Sequence, residues 1–180
     1  MTVEHTDIPG ILIFIPKIYQ DSRGYFFESF QKETFSKAGV SGEFVQDNQS
    51  LSAKNVLRGM HFQLPPFAQG KLVRVIKGAV LDIAVDLRKN STTYGKYCSV
   101  ELNELNNKMM WIPEGFAHGF LSLVNDSIFQ YKCTQFYHQA SEVCIRWDDP
   151  TLNIDWGTLH PIISEKDQSG QLFENFVSPF

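Results

Sequence analysis

Residues 58 to 78 read RGMHFQLPPFAQGKLVRVIKG, setting one imidazole, two guanidinium groups and two ammonium groups among apolar side chains. Such a stretch can hold a metal, hold an anionic ligand, or form the polar face of a strand. His61 alone favours the last, because a lone histidine near a strand is more often structural than catalytic. Its surroundings add to it: Arg58 lies three residues before, and Gly59 permits close backbone approach. On the strand that follows, Lys71, Val73 and Val75 fall on one side, and Leu72, Arg74 and Ile76 on the other. Lys71 is therefore either an edge residue facing solvent or a desolvated cation pointing into a pocket. A second dense stretch, MWIPEGFAHGFLSL at 110 to 123, sets His118 among Phe116, Phe120 and Leu123. Its plain role is a buried histidine satisfied by a carboxylate, with Asp82 of DIAVD as one candidate partner.

The elements that must position these groups are mostly strands. Residues 11 to 16, ILIFIP, form an apolar run ended by proline, and 71 to 88 alternate on both sides of Gly78, so two strands are joined or bent there. Further strands are expected over 97–102, 108–112, 117–124, 128–136 and 142–147. Only 31 to 38, QKETFSKA, reads as a helix, with Gly39 just past its end. Residues 148–165, with Asp-Pro, Trp-Gly and His-Pro, predict loop with at most one short strand. Without repeated helical crossovers, the pattern predicts a sandwich or barrel.

A chain of 180 residues fits a single domain over 1–180. Hydrophobic residues make up 43% of it, so it is globular rather than disordered. The net charge of -4 gives no general attraction to nucleic acid or an anionic membrane, while leaving room for a local cationic cluster. Cys98, Cys133 and Cys144, an odd number at no metal-like spacing, read as reduced, buried thiols. MTVEHTDIPG lacks the basic region and apolar run of a signal peptide, which points to a cytoplasmic protein.

The spacing Pro113-x-Gly115-x-x-His118 resembles the second half of the cupin signature, whose histidine is often a metal ligand. The first half normally supplies H-x-H and then a glutamate seven residues before a glycine. The matching places hold His61, Gln63, Lys71 and Gly78. An amide replaces one imidazole and an ammonium replaces the carboxylate, which argues against a metal and for a fixed positive charge that stabilises an anion or enolate.

Over most of its length the chain resembles the dTDP-4-dehydrorhamnose 3,5-epimerase family. The stretches that carry this are DSRGYFFESF (21–30), QDNQSLS (46–52), RGMHFQLPPFAQGKLVRV (58–75), AVDLRKNSTTYGKY (84–97), WIPEGFAHGF (111–120), YKCTQFY (131–137), IRWDDP (145–150) and SEKD (164–167). Phe62 stands where tyrosine is common in that family, and Ser22 and Tyr25 also depart from its pattern. The resemblance implies an all-β, cupin-type jelly-roll β-barrel with a few short helices. It also implies enolate chemistry that inverts C3 and C5 of a dTDP-linked 4-keto-6-deoxy sugar, with neither metal nor other cofactor.

By the same resemblance His61 is the base, Asp167 its partner, Tyr131 the acid on the opposite face and Lys71 the cation at the enolate oxygen. Histidine suits the first role because its ordinary pKa lies near 6.5, and tyrosine, near 10, suits donation. Arg23 and Arg58 match phosphate-binding arginines, with Gln46 and Asn48 as polar neighbours. Phe26 and Tyr137 match aromatics around the thymine or sugar, Glu28 a carboxylate on the nucleotide, and His118 a further substrate contact. A homodimer is implied, N-terminal residues of one subunit reaching the neighbour's pocket. Competing readings are a C3-only or C5-only epimerase, a 3,4-ketoisomerase, a nucleotide-sugar-binding protein without turnover, and a metal-dependent cupin.

Overall fold

Short alternating segments form thirteen strands, and the computed structural model, which describes residues 1–180, places eleven of them in two antiparallel sheets. In chain order the elements are β1 (Thr2–His5), β2 (Leu12–Ile15), β3 (Tyr19–Asp21), β4 (Gly24–Phe26), α1 (Lys32–Ala38), β5 (Gln46–Ser52), β6 (Leu57–Gln63), β7 (Lys71–Lys77), β8 (Ala79–Asp86), β9 (Tyr97–Asn103), β10 (Met109–Ile112), β11 (Phe116–Ser122), β12 (Ser127–Cys133), β13 (Glu142–Cys144) and α2 (Glu165–Gln168). One sheet runs β1-β2-β10-β7-β12-β5 and the other β13-β6-β11-β8-β9, while β3 and β4 form a separate hairpin.

The all-β expectation with short helices holds, but the jelly-roll barrel does not. Both sheets are open: β1 and β5 end one, β13 and β9 end the other, and no strand belongs to both. Alternation fixes which side chains face inward, and a sandwich and a barrel demand the same alternation. Closure needs edge-to-edge ladders. Here β13 has only three residues, and β1 and β9 carry exposed Glu4, Ser99 and Glu101, features that discourage edge pairing.

Three apolar layers hold the sandwich. Between the sheets lie Val73, Val75, Met110, Ile112 and Phe129 from one side and Val80, Ala84, Leu102, Phe116 and Phe120 from the other. Outside the five-stranded sheet, Met60, Phe62, Ile83 and Val85 are covered by Leu152, Trp156, Phe173 and Phe176 of the C-terminal segment. Outside the six-stranded sheet, Phe14, Leu72 and Trp111 receive Phe35 of α1, with Phe14 and Phe35 stacked 4.3 Å apart. Helix α1 forms because Gln31 caps the Thr34 amide and Gly39 donates back to Phe35 and Ser36.

β7 and β8 are consecutive yet lie in different sheets. The crossing needs only Gly78, whose φ of +82° permits the reversal; a Cβ there would meet Ser127 Oγ at 2.7 Å. Residues 148–165 contain no strand, as expected apart from an isolated bridge of Ile162 to Val56. All three cysteines are free, but only Cys133 is buried; Cys98 and Cys144 are partly exposed. No helix is long and apolar enough to cross a membrane.

Candidate active site

The inner faces of the two sheets are not filled at one end, and a continuous cleft opens there. One part, about 230 Å³, is lined by Gln46, Asn48, His61, Lys71, Tyr131 and Glu142 among others. The adjoining part, about 360 Å³, shares Asn48, His61, Lys71 and Tyr131 and adds Arg58, His118 and Asp167. Alternation explains the lining: β5 turns Gln46, Asn48, Ser50 and Ser52 away from its solvent face, and β12 sets Tyr131 opposite Asn48 and Phe129 opposite Ser50. β7 sends Lys71 inward with Val73 and Val75, which decides between the two placements that alternation had left open.

His61, from β6 in the five-stranded sheet, meets Asp167 with Nε2 and Oδ1 2.6 Å apart. Asp167 comes from α2, where its backbone N–H donates to the Ser164 hydroxyl, and its Oδ2 accepts the Gly59 N–H at 3.2 Å. Burial alone would raise the Asp167 pKa. The hydrogen bond and charge of His61, with the Gly59 amide and Ser164, outweigh it and hold the carboxyl below its ordinary value. Gly59 also sets how closely β6 approaches β11. Its φ is +142°, and a Cβ there would stand 2.5 Å from the Gly119 Cα.

Tyr131 stands on the opposite wall. Burial, with the Cys133 and Glu142 charges, pushes its phenol up to about 12 against the opposing pull of Arg58, so the hydroxyl keeps its proton at neutral pH. Lys71 is 9% exposed, its Nζ 3.4 Å from the His61 carbonyl and 6.0 Å from the centre of the Tyr131 ring. Burial lowers its pKa, opposed by Cys133, Glu142 and Asp82. A buried cation between an imidazole and a phenol is suited to negative charge that develops during reaction.

His118 takes the structural part its sequence context suggested. Its Nε2 lies 3.0 and 3.1 Å from the two oxygens of Asp82, and both residues are buried. Burial lowers the His118 pKa and raises that of Asp82, which leaves His118 as a neutral, oriented imidazole on the cleft wall. Arg58 donates to Ser52 Oγ and the Leu51 carbonyl and forms no ion pair, so a guanidinium unpaired with any carboxylate edges the cleft. Gln46 donates to Asn48 and accepts the Tyr137 N–H. Tyr137 is half exposed and donates its hydroxyl to Glu142 at 2.8 Å.

Three predicted residues lie elsewhere. Arg23 and Phe26 are on the exposed β3–β4 hairpin, with Arg23 paired to Asp21, and Glu28 follows it, lining with Phe26 a hollow apart from the cleft. Sequence reasoning also missed residues. Glu142 projects into the cleft and accepts a second bond from Lys166 at 2.5 Å, and Gln69 joins the lining. Ser50, on the same wall, has the only buried side-chain polar atom without a partner. Neither carries a local signal: QDNQSLS is polar almost throughout, so nothing in it singles out Ser50, and nothing local marks Glu142.

The cupin metal positions are otherwise engaged. Gln63 donates to the Phe67 and Phe136 carbonyls and accepts the His138 N–H, His118 is held by Asp82, and Lys71 brings an ammonium. A different trio, His61, Cys144 and Asp167, has donor atoms all within 4.8 Å of one another. Burial and the Asp167 charge push the Cys144 thiol up to about 12, so it is not a nucleophile.

Residues 5–175 match the family model for dTDP-4-dehydrorhamnose 3,5-epimerase. A dTDP-4-dehydrorhamnose 3,5-epimerase of Shigella flexneri is 51% identical over 174 residues, 96% of each chain. One of Methanothermobacter thermautotrophicus is 50% identical over 91% of this chain and 90% of its own. The crystal structure of a dTDP-6-deoxy-D-glucose-3,5-epimerase from Legionella pneumophila Philadelphia 1, in complex with dTDP-4-keto-L-rhamnose, superposes with a TM-score of 0.94. It is 44% identical, and the match covers 98% of this chain and 94% of that one.

Proposed function

The chain belongs to the dTDP-4-dehydrorhamnose 3,5-epimerase family, and from that premise we propose how its cleft divides the work of the reaction. It is an isomerase that epimerises a dTDP-linked 4-keto-6-deoxy sugar, inverting C3 and C5 on the route to dTDP-4-dehydro-L-rhamnose. Both carbons flank the ketone at C4, which acidifies their C–H bonds. Removing a proton gives an enolate, and returning one from the other ring face inverts the centre; the electrons balance without a redox partner.

His61 takes the proton on its face of the ring. Asp167 fixes the imidazole and stabilises the imidazolium that forms. Tyr131 returns a proton from the other face, and Lys71 compensates the charge on the C4 oxygen. One observation carries this reading: His61 and Tyr131 belong to different sheets and line one cleft, so a ring held between them presents a different face to each. Arg58, with Gln46 and Asn48, binds the nucleotide diphosphate. Tyr137 stands against the thymine or sugar at the mouth, and His118 is a neutral contact deeper in.

Arg23, Phe26 and Glu28 act in trans. Their hairpin joins neither sheet and exposes Tyr19, Tyr25 and Phe26, a composition suited to a partner surface. Residues 1–180 form one epimerase unit that functions as a homodimer, each hairpin completing the neighbour's nucleotide site.

Incubation with dTDP-4-keto-6-deoxyglucose in deuterated water, followed by NMR, tests the reading. Label and inversion at both C3 and C5 are expected. Label at one carbon only means a selective epimerase, and none means a binding protein. His61→Ala abolishes exchange at both carbons and leaves dTDP binding largely intact; exchange near the normal rate in that variant removes His61 as the base.

A further inference from the structure

Cys144 has no part in the proton transfers, yet it sits opposite His61 in the β13–β6 pairing, and its sulfur lies beside the dyad. Its contacts are weak, a 3.7 Å approach to the Gly59 carbonyl and 3.5 Å to that of Ile145. The sulfur, a ring nitrogen of His61 and an Asp167 oxygen all lie within 4.8 Å of one another. We propose that these three side chains form a capture site for a thiophilic divalent cation such as Zn²⁺, and that its occupancy switches the enzyme off.

The donor set is the argument. An imidazole nitrogen, a sulfur and a carboxylate oxygen are ligands that zinc accepts together, at about 2.0–2.3 Å. Neighbouring donors around a tetrahedral ion then stand about 3.3–3.8 Å apart. From their present spread, the three reach that geometry by shifts of about an ångström, with the 2.6 Å His61–Asp167 contact opening to admit the ion. His61 keeps 26% of its side chain exposed and lines the cleft with Asp167, which gives the ion a route in. On binding, the thiol releases its proton to solvent. Hard cations such as Mg²⁺ gain little from sulfur and imidazole and are excluded by type.

This site is distinct from the cupin positions, where Gln63, Lys71 and His118 are committed to other contacts. It rests on the reading of His61 as the base, since the ion inhibits by taking Nε2 and Asp167 together, which breaks the contact that orients the imidazole and stabilises the imidazolium.

Zinc affinity, measured by calorimetry or against a chromophoric chelator, and turnover are followed separately in the wild type, Cys144→Ala and His61→Asn. The wild type binds one Zn²⁺ per chain and loses activity reversibly to a chelator; Mg²⁺ at the same concentration does neither. Cys144→Ala keeps its turnover and binds Zn²⁺ about tenfold or more weakly. Cobalt loaded into the wild type shows sulfur-to-metal charge-transfer absorption that this variant lacks. Zinc affinity unchanged in Cys144→Ala, or no stoichiometric binding, overturns the site. His61→Asn separates the two ideas. Turnover retained with zinc affinity lost refutes the base and keeps the site, whereas turnover lost with zinc affinity intact refutes the site and keeps the base.

Discussion

Lys71 carries a charge in a place that disfavours it, and its pH behaviour follows. In the proposed mechanism the working form is the ammonium. Burial lowers its pKa from 10.5, so the charge, and with it activity, is lost as pH rises through that lowered value. Tyr131, pushed up to about 12, stays protonated beyond that point and does not set the alkaline limb. A profile of kcat/KM against pH should therefore fall below pH 10.5, and Lys71→Arg should move the fall upward. Lys71→Met should lower kcat about 100- to 1,000-fold with the fold intact by circular dichroism. Tyr131→Phe should lower product formation about 100- to 10,000-fold while deuterium exchange persists, because the base remains and the donor is gone. Unchanged product formation would exclude Tyr131. At this scale part was legible: the parity of KLVRV put Lys71 on one side with Val73 and Val75 but left open whether that side faced solvent or a pocket, and the residues around His118 pointed to Asp82. Asp167 was reached only through family resemblance, because nothing local ties it to a histidine 106 residues away. Glu142 was illegible for a similar reason, since its place depends on where a three-residue edge strand docks.

Among the elements, β6 and β11 show how a local backbone feature reaches the chemistry. Their pairing shifts register between His118 and Phe120, where Gly59 and Gly119 face each other. Gly59→Ala would drive a Cβ to 2.5 Å from the Gly119 backbone and displace the amide that binds Asp167. The expected outcome is a stability loss of about 1–3 kcal/mol by denaturant unfolding, with kcat falling further than unfolding explains. A variant as active and stable as the wild type would break the link between this approach and the dyad. Helix α1 was readable because its signals are local: the cap at Gln31, Phe35 on its buried face, Gly39 at its end. β5 was not, because QDNQSLS faces a cleft on one side and solvent on the other and so has no apolar period. The barrel expectation failed for a third reason. Sheet closure is decided by edges, and edge pairing leaves no trace in the alternation of a single strand.

For the whole molecule, the β3–β4 hairpin is the part without a home. Phe26 is 70% exposed, and the Arg23 guanidinium hydrogen-bonds only Asp21. In the proposed dimer a site draws His61 from one subunit and Arg23 from the other. Arg23→Ala, weakly active alone, and His61→Ala, inactive alone, should then complement when unfolded and refolded together. Random pairing restores one intact site in half the dimers, about a quarter of wild-type activity. No recovery above the sum of the separate variants would mean that the hairpin serves its own subunit or none. The C-terminal segment carries a different consequence. Asp167 arrives on a stretch that belongs to neither sheet and is fastened by the Ile162–Asn55, Ile162–Leu57, Gln171–Cys144 and Gln171–Arg146 backbone bonds. Leu159 ahead of it is 85% exposed, an easy cleavage point. A protease nick there would leave every strand pairing in place while loosening the carboxylate behind the imidazole. Catalysis would then decay while spectroscopic signs of folding persist, so loss of turnover during storage need not signal denaturation.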